Sequence, residues 1–161
     1  MYLEKIIEVP IQHFSVRPDN TDISAIIIHD TGAKTAKSTL NWFLNPASKV
    51  SSHYLIDRDG TIYRCVDDES EAWHAGISNL HGKEQVNEFS VGIELVDADE
   101  KDKYPDEQLE ALLEVCVELC EEHHIPLNRI VGHCHVAPGR KVDPGKDFPW
   151  FEFLNTLGSR L

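Results

Sequence analysis

The chain has 161 residues, 41% of them hydrophobic, and carries 28 acidic against 15 basic side chains for a formal net charge of −13. That size and composition suit a single domain over residues 1–161 with one buried core, and they exclude a disordered-type chain. The charge argues against nucleic acid, whose phosphates call for basic patches, and against anionic membrane surfaces, and no apolar run approaches the ~20 residues that would cross a bilayer.

The opening stretch "MYLEKIIEVP" carries Glu4, Lys5 and Glu8 among its apolar residues, which is not the pattern of a secretory signal. The expectation is a cytoplasmic protein, unless it leaves the cell by another route or a leader has been removed. "SAIIIHD" (24–30) is a short β-branched apolar run and reads as a fully buried strand ending at His29. "AKSTLNWFLN" (36–45) spaces Leu40, Phe43 and Leu44 like one helix face and is stopped by Pro46. "HYLIDRDGTIYRCV" (53–66) is a hairpin about the turn residues Asp57 to Gly60. The acidic runs "DDESE" (67–71) and "DADEKDKYPDE" (97–107) read as solvated loops.

"FSVGIELV" (89–96) is a second buried strand, interrupted by Glu94. "PDEQLEALLEVCVELCEEHH" (105–124) opens with Pro and acidic residues and keeps Leu109, Leu112, Leu113, Cys116, Val117 and Cys120 on one stripe of a long helix. The four cysteines, Cys65, Cys116, Cys120 and Cys134, form no CxxC pair and no disulfide framework; Cys116 and Cys120 read as small buried side chains. "RIVGHCH" (129–135) is a short strand leading into "VAPGRKVDPG", and "DFPWFEFLNTLGSRL" (147–161) is a closing helix. Strands and helices are mixed, so the fold class is α/β with a central mixed sheet flanked by helices.

Taken singly, His29 and His133 are satisfied core histidines and Asp143 is a turn residue before Pro144. Taken together, two imidazoles and a carboxylate at strand ends are a three-ligand set for a catalytic Zn2+, with a fourth position left open. Imidazole favours zinc over magnesium or calcium, which prefer oxygen shells. His135 is a rival ligand, because residues 133 and 135 of an extended strand face the same way. Glu94 is a general-base candidate, since a carboxylate inside an apolar strand is costly unless it is paired or lies in a polar cleft; a buried structural ion pair is the other reading. Lys141 lies two residues before Asp143, on the same face of an extended segment, and could reach a substrate carbonyl oxygen; an exposed solvated lysine is the alternative.

The blocks "IIIHDTG", "SSHYLIDRDGTIY", "EAWHAG", "NEFSVGIELV" and "VGHCHVAPGRKVDPG", in this order, resemble the zinc-dependent N-acetylmuramoyl-L-alanine amidases, the type 2 family related to phage lysozyme-amidases and peptidoglycan recognition proteins. The blocks run from residue 26 to about 150. The resemblance implies hydrolysis of the amide between the lactyl group of N-acetylmuramic acid and L-alanine, at a zinc in the base of a groove. It implies His29, His133 and Asp143 as ligands, with His133 preferred over His135, and Glu94 and Lys141 as catalytic residues. Trp73 and His74 fall where substrate would lie, and His53 reads as structural.

One departure is His135, where relatives of this block usually carry an acidic residue. The implied partner is peptidoglycan or a soluble muropeptide. The setting is then a cytoplasmic recycling amidase or a phage-borne lysis enzyme, in either case a monomer. Two other functions stay open: a non-catalytic peptidoglycan-binding module on this fold, and a zinc hydrolase acting on a different amide.

Overall fold

β-branched runs that are apolar on both sides need cover on both sides, and that requirement organises the molecule. The computed structural model describes residues 6–97 and 104–161. The first residues of the opening stretch and most of the acidic segment 97–107 lie outside them. Ten strands occur among the described residues: β1 (Ile6–Glu8), β2 (Phe14–Val16), β3 (Ala25–Asp30), β4 (Tyr54–Ile56), β5 (Ile62–Arg64), β6 (Ser70–Ala72), β7 (Asn79–Leu80), β8 (Lys83–Glu84), β9 (Ser90–Leu95) and β10 (Ile130–Gly132). Four helices accompany them: α1 (Ala36–Leu44), α2 (Asp106–His123), the single turn α3 (His133–Val136) and α4 (Trp150–Arg160).

Six strands form the central sheet in the order β1-β5-β4-β9-β3-β10. Only β4 and β5 pair antiparallel; the other neighbours are parallel, so the sheet is mixed as expected. Side chains alternate across it. Ile26, Ile28, Val91 and Ile93 face α2 and α4, packing with Leu112, Cys116, Leu119, Phe153 and Leu157. Ala25 and Ile27 face the other way, toward Ala75, Leu80, Val86, Phe89 and Val136. His29 continues that second series. Its register partner on β9 is Glu94, and Ser90 and Gly92 pair with Ala25 and Ile27, so all of these residues share one face at the end of the two central strands.

Several local expectations change. In α1 the buried residues are Ala36, Thr39 and Phe43; Leu44 is exposed because the helix lies on the sheet by a narrower stripe than its apolar content suggests. The hydroxyl of Thr35 caps this helix by accepting the Ser38 N–H. In α2 the buried face is centred on Gln108, Leu112, Val115 and Leu119, with Leu109 and Val117 only partly covered. Gln108 is fully buried and donates to the Ile56 and Val96 carbonyls, closing the ends of β4 and β9. The "DDESE" run is not wholly a solvated loop. Ser70 and Glu71 belong to β6, paired with β2, and the Asp68 carboxylate accepts the Tyr54 hydroxyl at 2.9 Å. The segment 129–135 leaves the strand at Gly132 and turns into α3.

Arg17, in the loop after β2, fastens the part of the fold beneath His53 and Ser90. It is buried, and its guanidinium donates to the carbonyls of Asp68, Asn87, Glu88 and Ser90 at 2.7 to 3.0 Å. Arg17→Met leaves those acceptors without donors. Unsatisfied buried groups and lost charge-assisted hydrogen bonds predict a loss of about 3–5 kcal/mol in urea unfolding, with the transition still cooperative.

Candidate active site

His29, His133 and Asp143 arrive from three places in the chain and meet at one point. β3 and β10 are adjacent and parallel, with Ile28 opposite Gly132, so His29 and His133 leave neighbouring strands at the same level. Asp143 is brought in by its own backbone: its carbonyl accepts the Cys134 N–H at 2.8 Å. Two residues on, the Gly145 N–H donates to Asp30 at 3.0 Å. Asp30 is braced in turn by the Tyr104 hydroxyl at 2.6 Å. Gly132 leaves space for this loop, since a Cβ there would lie 2.7 Å from Pro144 Cδ.

The three groups form a small triangle. His29 Nδ1 lies 3.0 Å from His133 Nδ1 and 3.3 Å from Asp143 Oδ2, and His133 Nδ1 lies 3.2 Å from the same oxygen. Bonds of 2.0–2.1 Å to a tetrahedral zinc set ligand atoms about 3.3 Å apart, so the triangle has the dimensions of one face of such a site. The second nitrogen of His133 stands 3.0 Å from the Ala75 carbonyl, which can only accept. Nε2 therefore carries the proton and Nδ1 presents a lone pair. The donor set fits a metal ion: two imidazoles and one carboxylate, converging from side chains held by their own partners.

The electrostatics agree. Burial pushes His29 down to about 4, so the ring is neutral and able to ligate. Glu94 lies beside this triangle, with Oε1 4.0 Å from His29 Nδ1. Its Oε2 is buried and has no hydrogen-bond partner. Burial, then the charges of Asp143 and Asp30, raise Glu94 from 4.5 to about 8, with Lys141 acting in the opposite direction.

These groups open into one cavity of about 710 Å³, whose lining includes His29, Glu94, His133, Lys141 and Asp143 together with Trp42, Phe43, Trp73 and His74. All seven site residues expected from the sequence therefore border it. Trp73 is held by Nε1 donating to Ser15 Oγ at 2.8 Å, which sets its ring as a wall. His74 is buried with both ring nitrogens engaged, one 2.9 Å from His29 Nε2 and the other 3.1 Å from Ser90 Oγ. No nitrogen of this ring is left to offer a substrate. Burial, then the neighbouring rings of His29, His53 and His133, push His74 far below the ordinary imidazole range.

His135 does not join the ligands. The expectation of a continuous strand fails at Gly132, and on the helical turn that follows His133 and His135 no longer share a direction. His135 Nδ1 accepts the Gly132 N–H at 2.8 Å, and its ring lies against Trp150. It fills the capping role that a carboxylate would fill three residues into a helical turn. His53 is fully buried, accepts the Gly92 N–H and donates to the Ser70 carbonyl, a structural position. Sequence reasoning missed Ser90, Arg17 and the Asp30–Tyr104 pair; their only signal is a polar residue beside an apolar run, which many surface residues share.

Comparison with known proteins gives the family and the fold. The family model described as N-acetylmuramoyl-L-alanine amidase matches residues 19–146. The 1,6-anhydro-N-acetylmuramyl-L-alanine amidase AmpD of Citrobacter freundii is 34% identical over 169 residues, covering 94% of this chain and 90% of that protein. A crystal structure of an AmpD selenomethionine derivative superposes with a TM-score of 0.86 at 33% identity, covering 97% of this chain and 96% of that one. The amidase AmiD of E. coli, in complex with anhydro-N-acetylmuramic acid-L-Ala-D-γ-Glu-L-Lys, gives a TM-score of 0.78 at 30% identity over 88% of this chain and 60% of that one. By the family model over most of its length and by its relatives, the chain belongs to the N-acetylmuramoyl-L-alanine amidase family.

Proposed function

We propose that this protein hydrolyses the amide joining the lactyl group of N-acetylmuramic acid to L-alanine, that its substrates are soluble 1,6-anhydro-muropeptides, and that it works as a cytoplasmic monomer. The observation that carries the reading is the triangle of His29, His133 and Asp143 with an unpaired, buried carboxyl of Glu94 beside it in one cavity. A binding module gains nothing from a carboxylate oxygen buried without a hydrogen-bond partner, because burial makes its charge costly. The soluble, anhydro-sugar substrate is supported by AmpD relatives that match along nearly their whole length, and by a net charge of −13 that suits small fragments better than an anionic wall. Among the described residues no helix is long and apolar enough to cross a membrane.

In this mechanism His29, His133 and Asp143 would hold Zn2+, which would supply Lewis acidity toward a carbonyl and toward water. The remaining work belongs to the side chains. His29 and His133 keep their Nδ1 atoms converged on one point. Glu94 takes the proton of the attacking water at a carboxylate oxygen and delivers it to the leaving amine nitrogen. Burial without a hydrogen-bond partner raises the proton affinity of this carboxyl, the property needed to take a proton from water before handing it on. Lys141 brings its ammonium to the same cavity and balances the charge that develops on the carbonyl oxygen. Trp73 and Trp42 border the space available to sugar and stem peptide.

Three tests follow. Zinc-loaded protein is offered soluble 1,6-anhydro-muropeptides and intact sacculi side by side, with products identified by mass. Free stem peptide and anhydro sugar are expected from the soluble fragments; retention without release identifies a binder, and release of some other fragment identifies a different amide.

Lys141→Ala is expected to lower kcat by roughly two to three orders of magnitude, the usual cost of one oxyanion donor. Near-normal turnover in the folded variant removes Lys141 from the chemistry.

Glu94→Gln is expected to lose turnover by at least about 10²-fold while stabilising the metal-free protein. The sign follows from the raised value. The folded protein keeps at about 8 a proton that the unfolded chain releases near 4.5, so ionisation favours unfolding increasingly between those pH values and by a constant amount above them. The stability gained by the glutamine variant is therefore absent near pH 4 and roughly 1–3 kcal/mol at pH 7. Denaturant unfolding of both proteins across this range, in the presence of a chelator, measures it.

A further inference from the structure

His29 needs a bare Nδ1 to act as a ligand, and nothing in an isolated imidazole selects that tautomer. The selection can be read from a chain of hydrogen bonds that begins on backbone. Ser90 Oγ lies 2.6 Å from the Val86 carbonyl, which can only accept, so the hydroxyl proton points there. The Ser90 oxygen, 3.1 Å from His74 Nε2, is left to accept, which places a proton on that nitrogen. With His74 neutral, its Nδ1 is bare and accepts from His29 Nε2 at 2.9 Å. The proton of His29 is then on Nε2, and its Nδ1 lone pair faces His133 and Asp143.

We infer that His74 and Ser90 are positioning residues: a buried relay from the Val86 carbonyl through Ser90 and His74 fixes the tautomer and orientation of His29 for metal binding. The inference rests on the metal-holding reading of the site. It assigns His74 a role in holding a ligand rather than in touching substrate. The fold supplies a seat for the relay. Ser90, Gly92 and Glu94 lie on one face of β9, and His74 crosses that face at Gly92. A Cβ on Gly92 would sit 2.4 Å from His74 Cγ, so the ring occupies the space a side chain would fill. Ser90 and His74 are buried, and their partners come from β3, from β9 and from the turn before it, so the alignment is fixed by packing rather than by a flexible loop. His133 is set separately by the Ala75 carbonyl, one residue after His74, so the segment 74–75 orients both histidine ligands. Partners of this kind are typically worth 10–100-fold in metal affinity.

The test combines tautomer assignment with metal affinity, and neither depends on turnover. Long-range ¹⁵N–¹H correlation spectra of the unaltered, metal-free protein are expected to show His29 and His74 protonated at Nε2 and bare at Nδ1. A proton on Nδ1 of either ring overturns the relay. Zinc affinity, measured by competition with a chromophoric chelator, is expected to fall 10–100-fold in His74→Ala. It is expected to return to within a few-fold in His74→Asn, whose carbonyl oxygen can accept from His29 Nε2. Ser90→Ala is expected to weaken zinc in the same direction and to release His74 into a mixture of tautomers.

Unchanged affinity in folded His74→Ala, or no recovery in His74→Asn, overturns the proposal; if the alanine variant does not fold, the spectra of the unaltered protein decide. A protein that shows the expected tautomers and zinc affinities but releases no stem peptide keeps the relay and refutes the amidase reading instead.

Discussion

Two imidazole nitrogens and a carboxylate oxygen stand 3.0 to 3.3 Å apart near the end of the central strands, each presenting electron density toward the same point. Such an arrangement is repulsive until a cation fills it, and a folded chain holds it only if each group is fixed from behind. Much of the surrounding architecture serves that purpose. The parallel pair β3 and β10 sets the two histidines level, the Cys134 and Gly145 amides draw in the Asp143 loop, and the Ala75 carbonyl orients His133. The work of folding is spent on holding polar groups close together that would separate in water.

The same rigidity explains why one oxygen of the Glu94 carboxyl can be left without a partner. Glu94 sits on a central strand flanked by β3 and β4, where the ladder and the apolar layer against α2 fix the backbone. A side chain with one buried oxygen and no hydrogen bond would pull a loop toward solvent; it cannot pull a strand held on both edges. The strain of a lone buried charge is therefore expressed as proton affinity rather than as movement. The scaffold converts rigidity into basicity.

Much of this was legible in the sequence because the groups interrupt patterns. His29 and Glu94 break apolar strands that otherwise have no polar residue to explain, and Lys141 and Asp143 sit in a turn with a recognisable block around it. The buried strands, the hairpin and the two long helices followed from periodicity for the same reason. What could not be read depends on where distant backbone atoms end up. Arg17 looks like a loop residue until four carbonyls are seen around it, Gln108 looks solvated until two strand ends meet it, and Leu44 keeps its place in an apolar stripe yet points outward. His135 reads as a rival to the preferred His133 on an extended strand, and no local propensity announces the change to a helical turn at Gly132 that sends the two side chains different ways.

Gly92 has a consequence for how this sequence can drift over time. Alanine is the smallest step away from glycine, and at most strand positions it would be tolerated or even preferred. Here the added methyl collides with an aromatic ring closed in on its other sides, so the step is blocked although Gly92 binds nothing itself. A change at Gly92 therefore has to be accompanied by a second one at His74, so the two positions can move only together.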